Sequence, residues 1–292
     1  MLVFDIDQTI CFDRYTIPPT IHRAIMRAKA DNRIVFASAR HPRDMYRVPG
    51  EELAEDAWLI GCNGAIAFQD HKVSYARPLQ WELTGRILEL LEETGTSYLA
   101  DGIFTSCREP ETGHALLDEV TGFGRFHITR SADMDRAEVI KILFLPGIGA
   151  DPDLMARLDA FNGVDVHRHR DGSIDITVSG IDKWAYLSRL KTDDRAFAAF
   201  GDDTNDLMML RAVRFNVVVG DRIGDCVDVT HRMPDDARTE HRIARLIETC
   251  SGNLLLEAGA YALKPFTRRG ERPLSGRAGG GGFARPSRRG LS

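Results

Sequence analysis

Residues 2–9 read LVFDIDQT, a short apolar run followed by two aspartates and a threonine. An apolar run that ends on acids is typical of a buried parallel strand whose carboxyl end opens onto a polar site. Residues 18–32 then show a Pro-Pro-Thr start and apolar residues at helical spacing, and residues 34–37 (IVFA) form a second apolar run. A strand, a helix and a strand within forty residues predict a βαβ unit and therefore a parallel sheet.

The α/β pattern extends to residue 76 and returns at residue 180. Between these points the sequence changes to one helix, residues 81–94, and short strands such as the pair near 165–169 and 174–178. We therefore expect a doubly wound, Rossmann-like α/β core, with a parallel sheet, formed by residues 1–76 and 180–250. An inserted α+β domain would occupy residues 77–179, and residues 251–292 would be a C-terminal extension. A length of 292 residues fits two domains.

Composition limits the class of protein. The chain is 43% hydrophobic and 28% charged, which is typical of a soluble globular protein. No apolar run approaches the roughly 18 residues that a membrane helix needs, and Asp5 and Asp7 interrupt the apolar stretch that a signal peptide would require. The five cysteines are scattered without a C-x-x-C pair, which favours reduced thiols. We expect a cytoplasmic protein with no membrane partner.

The charge is unevenly distributed along the chain. Residues 266–292 contain seven Arg and one Glu among Gly, Pro and Ser, so we expect this segment to be disordered. The net charge is -5, so the remainder is more acidic than the total. An acidic body argues against nucleic acid as the main ligand, and the basic tail is the one segment that would contact it.

Acids and hydroxyls cluster at the predicted carboxyl ends of the core strands, where open parallel sheets bind ligands. These ends carry residues 5–9 (DIDQT), 38–40 (SAR) and 201–206 (GDDTND). Aspartates gathered on one edge repel each other unless a cation neutralises them, and Mg²⁺ prefers oxygen ligands and is typically shared with a phosphate. Such residues also cap helices and make turns. Two such clusters at one edge of the sheet favour a ligand-binding site over helix capping and turns.

Lys183 gives an independent indication of an anion. It lies in the first turn of a predicted helix, where a cation opposes the helix dipole. Helix N-termini favour phosphate, so a phosphate between this lysine and the backbone amides would explain its position. A lysine at a helix start is otherwise an ordinary solvated side chain.

Four segments together resemble the four motifs of haloacid dehalogenase-like phosphatases: 4–9 (FDIDQT), 36–40 (FASAR), 180–183 (GIDK) and 201–206 (GDDTND). Their order and spacing resemble the Cof-type branch, subclass IIB, whose cap domain is inserted between the second and third motifs. Residues 60–65 (IGCNGA) also look like the Asn-Gly-Ala element of that branch. The resemblance covers about residues 1–250.

The resemblance implies a role for each matched residue. Asp5 would be the nucleophile that forms an aspartyl-phosphate, and Asp7 the general acid and then the general base. Mg²⁺ would be held by the Asp5 carboxylate, the Asp7 main-chain carbonyl and Asp202, with Asp206 as a further ligand or as the group that orients Lys183. The residues expected to bind phosphate or substrate are Ser38, Ala39, Arg40, Asn63, Lys183 and Asn205.

Three positions in two of the motifs depart from the family pattern. Gln8 stands where a glycine is usual, and Ser38-Ala39-Arg40 replaces Thr-Gly-Arg. Serine keeps the hydroxyl, but Ala39 is compatible only with a backbone that needs no positive φ. Gln8 places a side chain near the mouth of the site, which would narrow substrate choice or slow turnover.

These observations lead us to expect a Mg²⁺-dependent phosphomonoester hydrolase of small phosphorylated metabolites. The resemblance favours sugar phosphates as its substrates. One alternative is a phosphomutase, since phosphomannomutases share the fold and the aspartate pair. The other is a non-catalytic phospho-ligand sensor that uses the basic tail as its contact. His167 and His169 share one strand face, where metal ligation, a polar hairpin face and a specificity element of the cap all stay open.

Overall fold

The computed structural model describes residues 1–109, 115, 117–118, 127–145, 152–169, 172–189, 198–234 and 236–252. The predicted disorder of the tail from about residue 266, and all of the extension beyond residue 252, therefore lie outside the described residues. Among the described residues, no helix is both long enough and apolar enough to cross a membrane.

Short strands and helices alternate along the core sequence. The described strands, in chain order, are β1 (Leu2–Phe4), β2 (Ile34–Ala37), β3 (Trp58–Gly61), β4 (Ile66–Gln69), β5 (Lys72–Ala76), β6 (Ser97–Gly102), β7 (Thr105–Glu109), β8 (His127–Thr129), β9 (Val139–Leu145), β10 (Val164–Arg168), β11 (Ile174–Val178), β12 (Ala198–Gly201), β13 (Phe215–Val219) and β14 (His231–Met233). The described α-helices are α1 (Pro19–Lys29), α2 (Pro42–Met45), α3 (Glu51–Ala54), α4 (Trp81–Glu93), α5 (Pro152–Asp159), α6 (Lys183–Leu187), α7 (Leu207–Ala212) and α8 (Thr239–Gly252).

The larger of the two sheets that these strands form has the order β14-β13-β12-β1-β2-β3-β4-β5. The strands from β14 to β3 are parallel, and β4 and β5 continue the sheet in antiparallel pairing. Leu2 of β1 pairs with Ala198 on one side and with Ile34 on the other. Because β12, β1 and β2 are parallel neighbours, the residues that follow them meet at one edge of the sheet.

Both faces of this sheet are covered, which explains why its strands read as continuous apolar runs. Leu2 and Phe4 pack on the side of α1 and α8, in a cluster that includes Ile21 and Ile247. Val3 packs on the opposite side, in a cluster with residues of α6 and α7. The sheet is thus the middle layer of an α/β sandwich, and the predicted doubly wound core is confirmed.

The smaller sheet has the order β10-β11-β9-β6-β7-β8 and is antiparallel except for the β7–β8 pair. Residues of α4 and α5 pack on it through a second core that includes Leu83, Tyr98, Phe144 and Leu158. All of its strands lie between residues 97 and 178, within the range that the sequence assigns to the inserted domain. The predicted strand pair is present as β10 and β11, with His167 opposite Asp175.

Candidate active site

Lys183 joins two of the predicted site residues at the carboxyl end of β1. Its Nζ donates to Asp5 Oδ1 at 2.5 Å and to Asp206 Oδ1 at 2.7 Å. The side chain is 1% exposed, and Asp206 is fully buried. Burial disfavours the ammonium, but Asp206 and Asp5 outweigh that effect and raise the pKa of Lys183 above its ordinary value. The site therefore holds a buried, protonated lysine between two carboxylates.

The position of Lys183 depends on the neighbouring turn at residues 62–64. Lys183 is the first residue of α6, whose N-cap Asp182 accepts a hydrogen bond from the Ala185 amide. Gly64 has a φ of 102° and lies so close that a Cβ would collide with the Asp182 carbonyl oxygen. Only glycine allows the backbone of this turn to approach α6 so closely.

Asp5, Asp202 and Asp206 form a buried acidic cluster. Each offers one carboxylate oxygen, and these oxygens lie within 4.8 Å of one another. The Thr9 hydroxyl donates to Asp5 Oδ2 at 2.9 Å and lies 3.3 Å from Asp202 Oδ1. Among the described residues, this is the one group of three His, Cys, Asp or Glu side chains close enough to share a metal ion.

The electrostatics of the acidic cluster fit a divalent cation. Burial raises the pKa of Asp5 well above its ordinary value, with Lys183 opposing and Asp206 and Asp202 adding to the rise. Burial and Asp206 also raise the pKa of Asp202 to about 7. An additional positive charge would hold these carboxylates ionised, and hard oxygen donors in this number suit Mg²⁺.

Asp206 also organises the loop that carries Asp202. Its Oδ2 accepts hydrogen bonds from the Asp202 amide at 3.0 Å and the Asp203 amide at 3.2 Å. A Cβ at Gly201 would lie 2.7 Å from the Asp206 side chain, which explains a glycine at the end of β12. One oxygen of Asp206 therefore fixes the loop, and the other contacts Lys183.

The Asp7 carboxylate is not part of the acidic cluster and contacts Arg40. The guanidinium donates from Nε to Asp7 Oδ2 at 2.8 Å and from Nη2 to Asp7 Oδ1 at 2.5 Å. Nη2 also donates to the Arg14 carbonyl oxygen at 2.8 Å. Burial opposes the charge of Arg40, but Asp7 more than offsets it and raises the pKa of this arginine. Arg40, predicted to bind substrate, thus directly holds the predicted general acid.

Asn63, Asn205 and Ser38 form a third group at the same edge. Asn205 Nδ2 donates to Asn63 Oδ1 at 3.2 Å, and the Asn63 backbone amide donates to the Ser38 carbonyl oxygen at 3.1 Å. Asn63 is 1% exposed, and its Nδ2 has no hydrogen-bond partner in the described part of the chain. A buried N–H without a partner is costly, so an acceptor such as a phosphoryl oxygen would complete this group.

The two residues that replace a glycine of the family pattern differ in their backbone conformation. Gln8 has a φ of 60°, in the left-handed region that favours glycine. Ala39 lies outside that region, so its replacement of glycine causes no strain there. The Ala39 carbonyl oxygen accepts a hydrogen bond from Lys141 Nζ at 3.1 Å. Because Lys141 belongs to β9, this contact links the smaller sheet to the phosphate-binding segment that the sequence predicts.

Sequence reasoning missed three residues of the site: Thr9, Lys141 and Arg222. Thr9 lies two residues after Asp7, so its position within residues 4–9 was the available signal. Arg222 Nη1 lies 2.9 Å from Asp202 Oδ2. Lys141 and Arg222 lie outside the four motif segments, and the motif pattern shows neither the contact of Lys141 with the Ala39 carbonyl oxygen nor that of Arg222 with Asp202.

The two histidines of the β10–β11 hairpin contact polar neighbours within the smaller sheet. His169 Nε2 lies 2.9 Å from Asp175 Oδ2, and His167 Nε2 lies 3.2 Å from Thr177 Oγ1. Neither histidine is among the residues of the acidic cluster. These contacts favour the polar hairpin face over metal ligation.

Several solved structures share this fold. A haloacid dehalogenase-like hydrolase from Bacteroides thetaiotaomicron superposes with a TM-score of 0.72 at 18% identity, covering 84% of this chain and 98% of that one. One from B. subtilis has a TM-score of 0.70 at 18% identity and covers 85% and 98%. A subclass IIB sugar phosphatase has a TM-score of 0.67 at 19% identity and covers 85% and 97%. No curated protein sequence matches the chain.

The family resemblance is confirmed on the sequence itself. The model of the haloacid dehalogenase-like hydrolase family matches residues 2–229, which include all four motif segments and the inserted region. The geometry at the end of β1 agrees with that match, since it joins Asp5, Lys183 and Asp206 from three separate segments. The chain belongs to the haloacid dehalogenase-like hydrolase family.

Proposed function

We propose that this hydrolase is a Mg²⁺-dependent phosphatase that cleaves phosphomonoesters of small metabolites, with sugar phosphates as the preferred class. The observation that carries the proposal is the buried bridge of Lys183 between Asp5 and Asp206. This bridge brings the buried ammonium of Lys183 into contact with Asp5, the proposed nucleophile, and with Asp206, a second member of the acidic cluster. The unpartnered Nδ2 of Asn63 in the described part of the chain supports an anionic ligand beside them.

The reaction divides into two transfers of the phosphoryl group. In the first, an Asp5 carboxylate oxygen attacks phosphorus, the P–O bond to the leaving group breaks, and Asp7 donates a proton to the departing oxygen. In the second, Asp7 takes a proton from water as the water oxygen attacks the aspartyl-phosphate. The bond from phosphorus to Asp5 then breaks and releases inorganic phosphate. Both carboxylates return to their starting states.

The remaining site residues bind and orient the phosphoryl group. Lys183 and the side chains of Ser38, Asn63 and Asn205 would hold its oxygens, with the Ala39 backbone beside them, while Arg40 orients Asp7. Asp5, Asp202, Asp206 and the Asp7 carbonyl would hold Mg²⁺. When bound, Mg²⁺ supplies positive charge that neutralises the nucleophile and the phosphoryl oxygens.

We further propose that residues 77–179 act as a cap over the core formed by residues 1–76 and 180–250. Contacts between the smaller sheet and residues of the core support a cap that lies against the site. Lys141 reaches the Ala39 carbonyl oxygen, and Arg43, in α2 of the core, donates to Ser106 Oγ at 2.9 Å and to the Phe104 carbonyl oxygen at 2.9 Å. A cap over the site excludes water from the reacting group and favours small substrates. The sugar phosphatase among the structural neighbours supports the proposed substrate class.

The test is phosphate release from a panel of sugar phosphates and other small phosphomonoesters. The wild type and Asp5→Asn would be assayed with Mg²⁺ and with EDTA. We expect release that requires Mg²⁺ and falls to background in Asp5→Asn. Asp159→Asn is the matched control, because Asp159 is exposed and pairs with Arg168 on the smaller sheet.

Two other outcomes would favour the alternatives. Interconversion of hexose 1- and 6-phosphates with little free phosphate would identify a phosphomutase. Tight binding of a phosphorylated ligand with no turnover would identify a sensor. A folded protein that does none of these would contradict the proposal.

A further inference from the structure

Arg222 lies against the acidic cluster although it belongs to none of the four motif segments. Its Nη1 lies 2.9 Å from Asp202 Oδ2 and 3.2 Å from Asp203 Oδ2. The arginine side chain is 29% exposed, whereas that of Asp202 is 7% exposed. A guanidinium therefore closes the solvent side of a carboxylate that the proposed function assigns to Mg²⁺.

The loop that presents Arg222 is held at both ends. The Gly220 amide donates to the Met233 carbonyl oxygen at 2.7 Å, next to the β13–β14 pairing. The Arg232 guanidinium donates to the carbonyl oxygens of Gly220 and Gly224. Arg222 thus reaches Asp202 from an anchored turn, which favours a specific contact over a chance encounter of surface charges.

The two oxygens of Asp202 have different neighbours. Oδ2 contacts Arg222, whereas Oδ1 lies 3.3 Å from the Thr9 hydroxyl, which in turn donates to Asp5. Oδ1 is therefore the oxygen that points toward the rest of the acidic cluster. Arg222 therefore contacts Oδ2 and leaves Oδ1 available to a cation.

Two basic side chains contact the three carboxylates of the acidic cluster. Lys183 contacts Asp5 and Asp206, and Arg222 contacts Asp202. Each carboxylate of the cluster thus has a cationic partner before any metal binds. A divalent cation that enters must do so beside a fixed guanidinium, and the repulsion between like charges at this range lowers its affinity.

We propose that Arg222 sets the divalent-cation affinity of the site, by neutralising Asp202 in the metal-free protein and opposing the charge of the incoming ion. The inference rests on the cation site of the proposed function. It assigns Arg222 as a positioning residue that acts through Asp202. Its effect is on cation binding, before any substrate is present.

The test compares Mg²⁺ binding without substrate, by titration calorimetry, in the wild type, Arg222→Gln and Arg222→Lys. Glutamine keeps a neutral donor, and lysine keeps the charge. We expect Arg222→Gln to bind Mg²⁺ about tenfold more tightly, and Arg222→Lys to stay near the wild type. Arg242→Gln is the matched control, because Arg242 forms a 3.0 Å ion pair with Asp236 outside the cluster.

Thermal unfolding gives a second readout. Arg222→Gln should lower the Tm of the metal-free protein and increase the rise in Tm that saturating Mg²⁺ produces. If Arg222 had only a structural role, the substitution would lower the Tm equally with and without Mg²⁺. Equal or weaker Mg²⁺ binding by Arg222→Gln, or no Mg²⁺ binding by either protein, would overturn the inference.

The inference and the proposed function fail in different ways. If Arg222→Gln binds Mg²⁺ no more tightly but the wild type releases phosphate with Mg²⁺, the inference alone is wrong. If the affinities shift as expected but no phosphomonoester is cleaved, the phosphatase proposal is wrong and the role of Arg222 stands.

Discussion

The guanidinium of Arg40 holds both carboxylate oxygens of Asp7, with Nε 2.8 Å from Oδ2 and Nη2 2.5 Å from Oδ1. A bidentate contact fixes the plane of a carboxylate as well as its position. Nη2 of Arg40 also donates to the Arg14 carbonyl oxygen at 2.8 Å. Arg40 is therefore placed to orient the carboxylate that we propose as the general acid, and its substitution should affect leaving-group departure.

Arg40→Gln should lower kcat/KM for sugar phosphates by about 10- to 100-fold, because a mispositioned Asp7 protonates the alkoxide poorly. For p-nitrophenyl phosphate the loss in kcat/KM should be much smaller, since nitrophenolate departs without a proton and kcat/KM does not include the later attack of water on the aspartyl-phosphate. Steady-state kinetics on both substrates measures the difference. Asp7→Asn should show the same preference for the nitrophenyl ester. Equal losses of kcat/KM on the two substrates would assign Arg40 to substrate binding instead.

Much of the core could be predicted because it depends on local patterns. The apolar run of β1 and the acids after it predicted a strand end that carries Asp5, and parallel pairing predicted its meeting with residues 201–206. By contrast, β4 and β5 were not predicted. β5 (Lys72–Ala76) is partly exposed and has no continuous apolar run, whereas β4 (Ile66–Gln69) has a short buried apolar run that extends the sheet in antiparallel pairing. β7 (Thr105–Glu109) also has no continuous apolar run.

The meeting of the motif segments at one sheet edge was predicted, but most of the contacts between their side chains were not. The motif order indicated Asp5, Lys183 and Asp206 together, and the structure joins them. The bidentate Arg40–Asp7 contact depends on side-chain direction, which the spacing of motifs does not determine. Arg222 comes from a turn whose place is set by the pairing of β13 with β14, and that short strand was not predicted.

Gln8 provides a test of backbone strain at the mouth of the site. Its φ of 60° lies in the left-handed region, where a side chain costs about 1 kcal/mol relative to glycine. Gln8→Gly should therefore raise the Tm by about 1–4 °C, measured by calorimetry. Gln69→Gly is the control, because Gln69 ends β4 and glycine weakens a strand, so this variant should lower the Tm. A lower Tm for Gln8→Gly as well would show that the Gln8 side chain stabilises the turn.

Gly64→Ala tests the close approach of the 62–64 turn to α6. A Cβ there would meet the Asp182 carbonyl oxygen, and the φ of 102° adds strain. We expect a loss of more than about 2 kcal/mol in the free energy of unfolding, and a large loss of phosphate release because Lys183 must move. Gly50→Ala is matched, since Gly50 has a φ of 78° and no atom lies within 4 Å of the position that a Cβ would take. It should lose about 1 kcal/mol and keep its activity. Similar losses in the two variants would remove the steric argument.

Asp44 should make the stability of the protein depend on pH. This side chain of α2 is buried, and its Oδ1 has no hydrogen-bond partner in the described residues. Burial, with a further contribution from Asp101, raises its pKa from 3.8 to about 8, against the opposing effects of Lys141, Arg43 and Arg40. Between these two pH values the folded state holds a proton that the unfolded state releases. The contribution of Asp44 to stability therefore falls as the pH rises from about 4 to about 8.

Asp44→Asn removes this titration and should stabilise the protein increasingly over the same range. The difference in unfolding free energy between variant and wild type should be smallest near pH 4 and level off near pH 8, with a slope of at most about 1.4 kcal/mol per pH unit. Denaturant unfolding at several pH values measures it. Burial also lowers the pKa of His41, but His41 is present in both proteins and its effect largely cancels in the difference. Asp159→Asn supplies the baseline for an exposed aspartate. A difference for Asp44→Asn that is constant with pH, or that shrinks toward pH 8, would show that Asp44 is ionised in the folded protein.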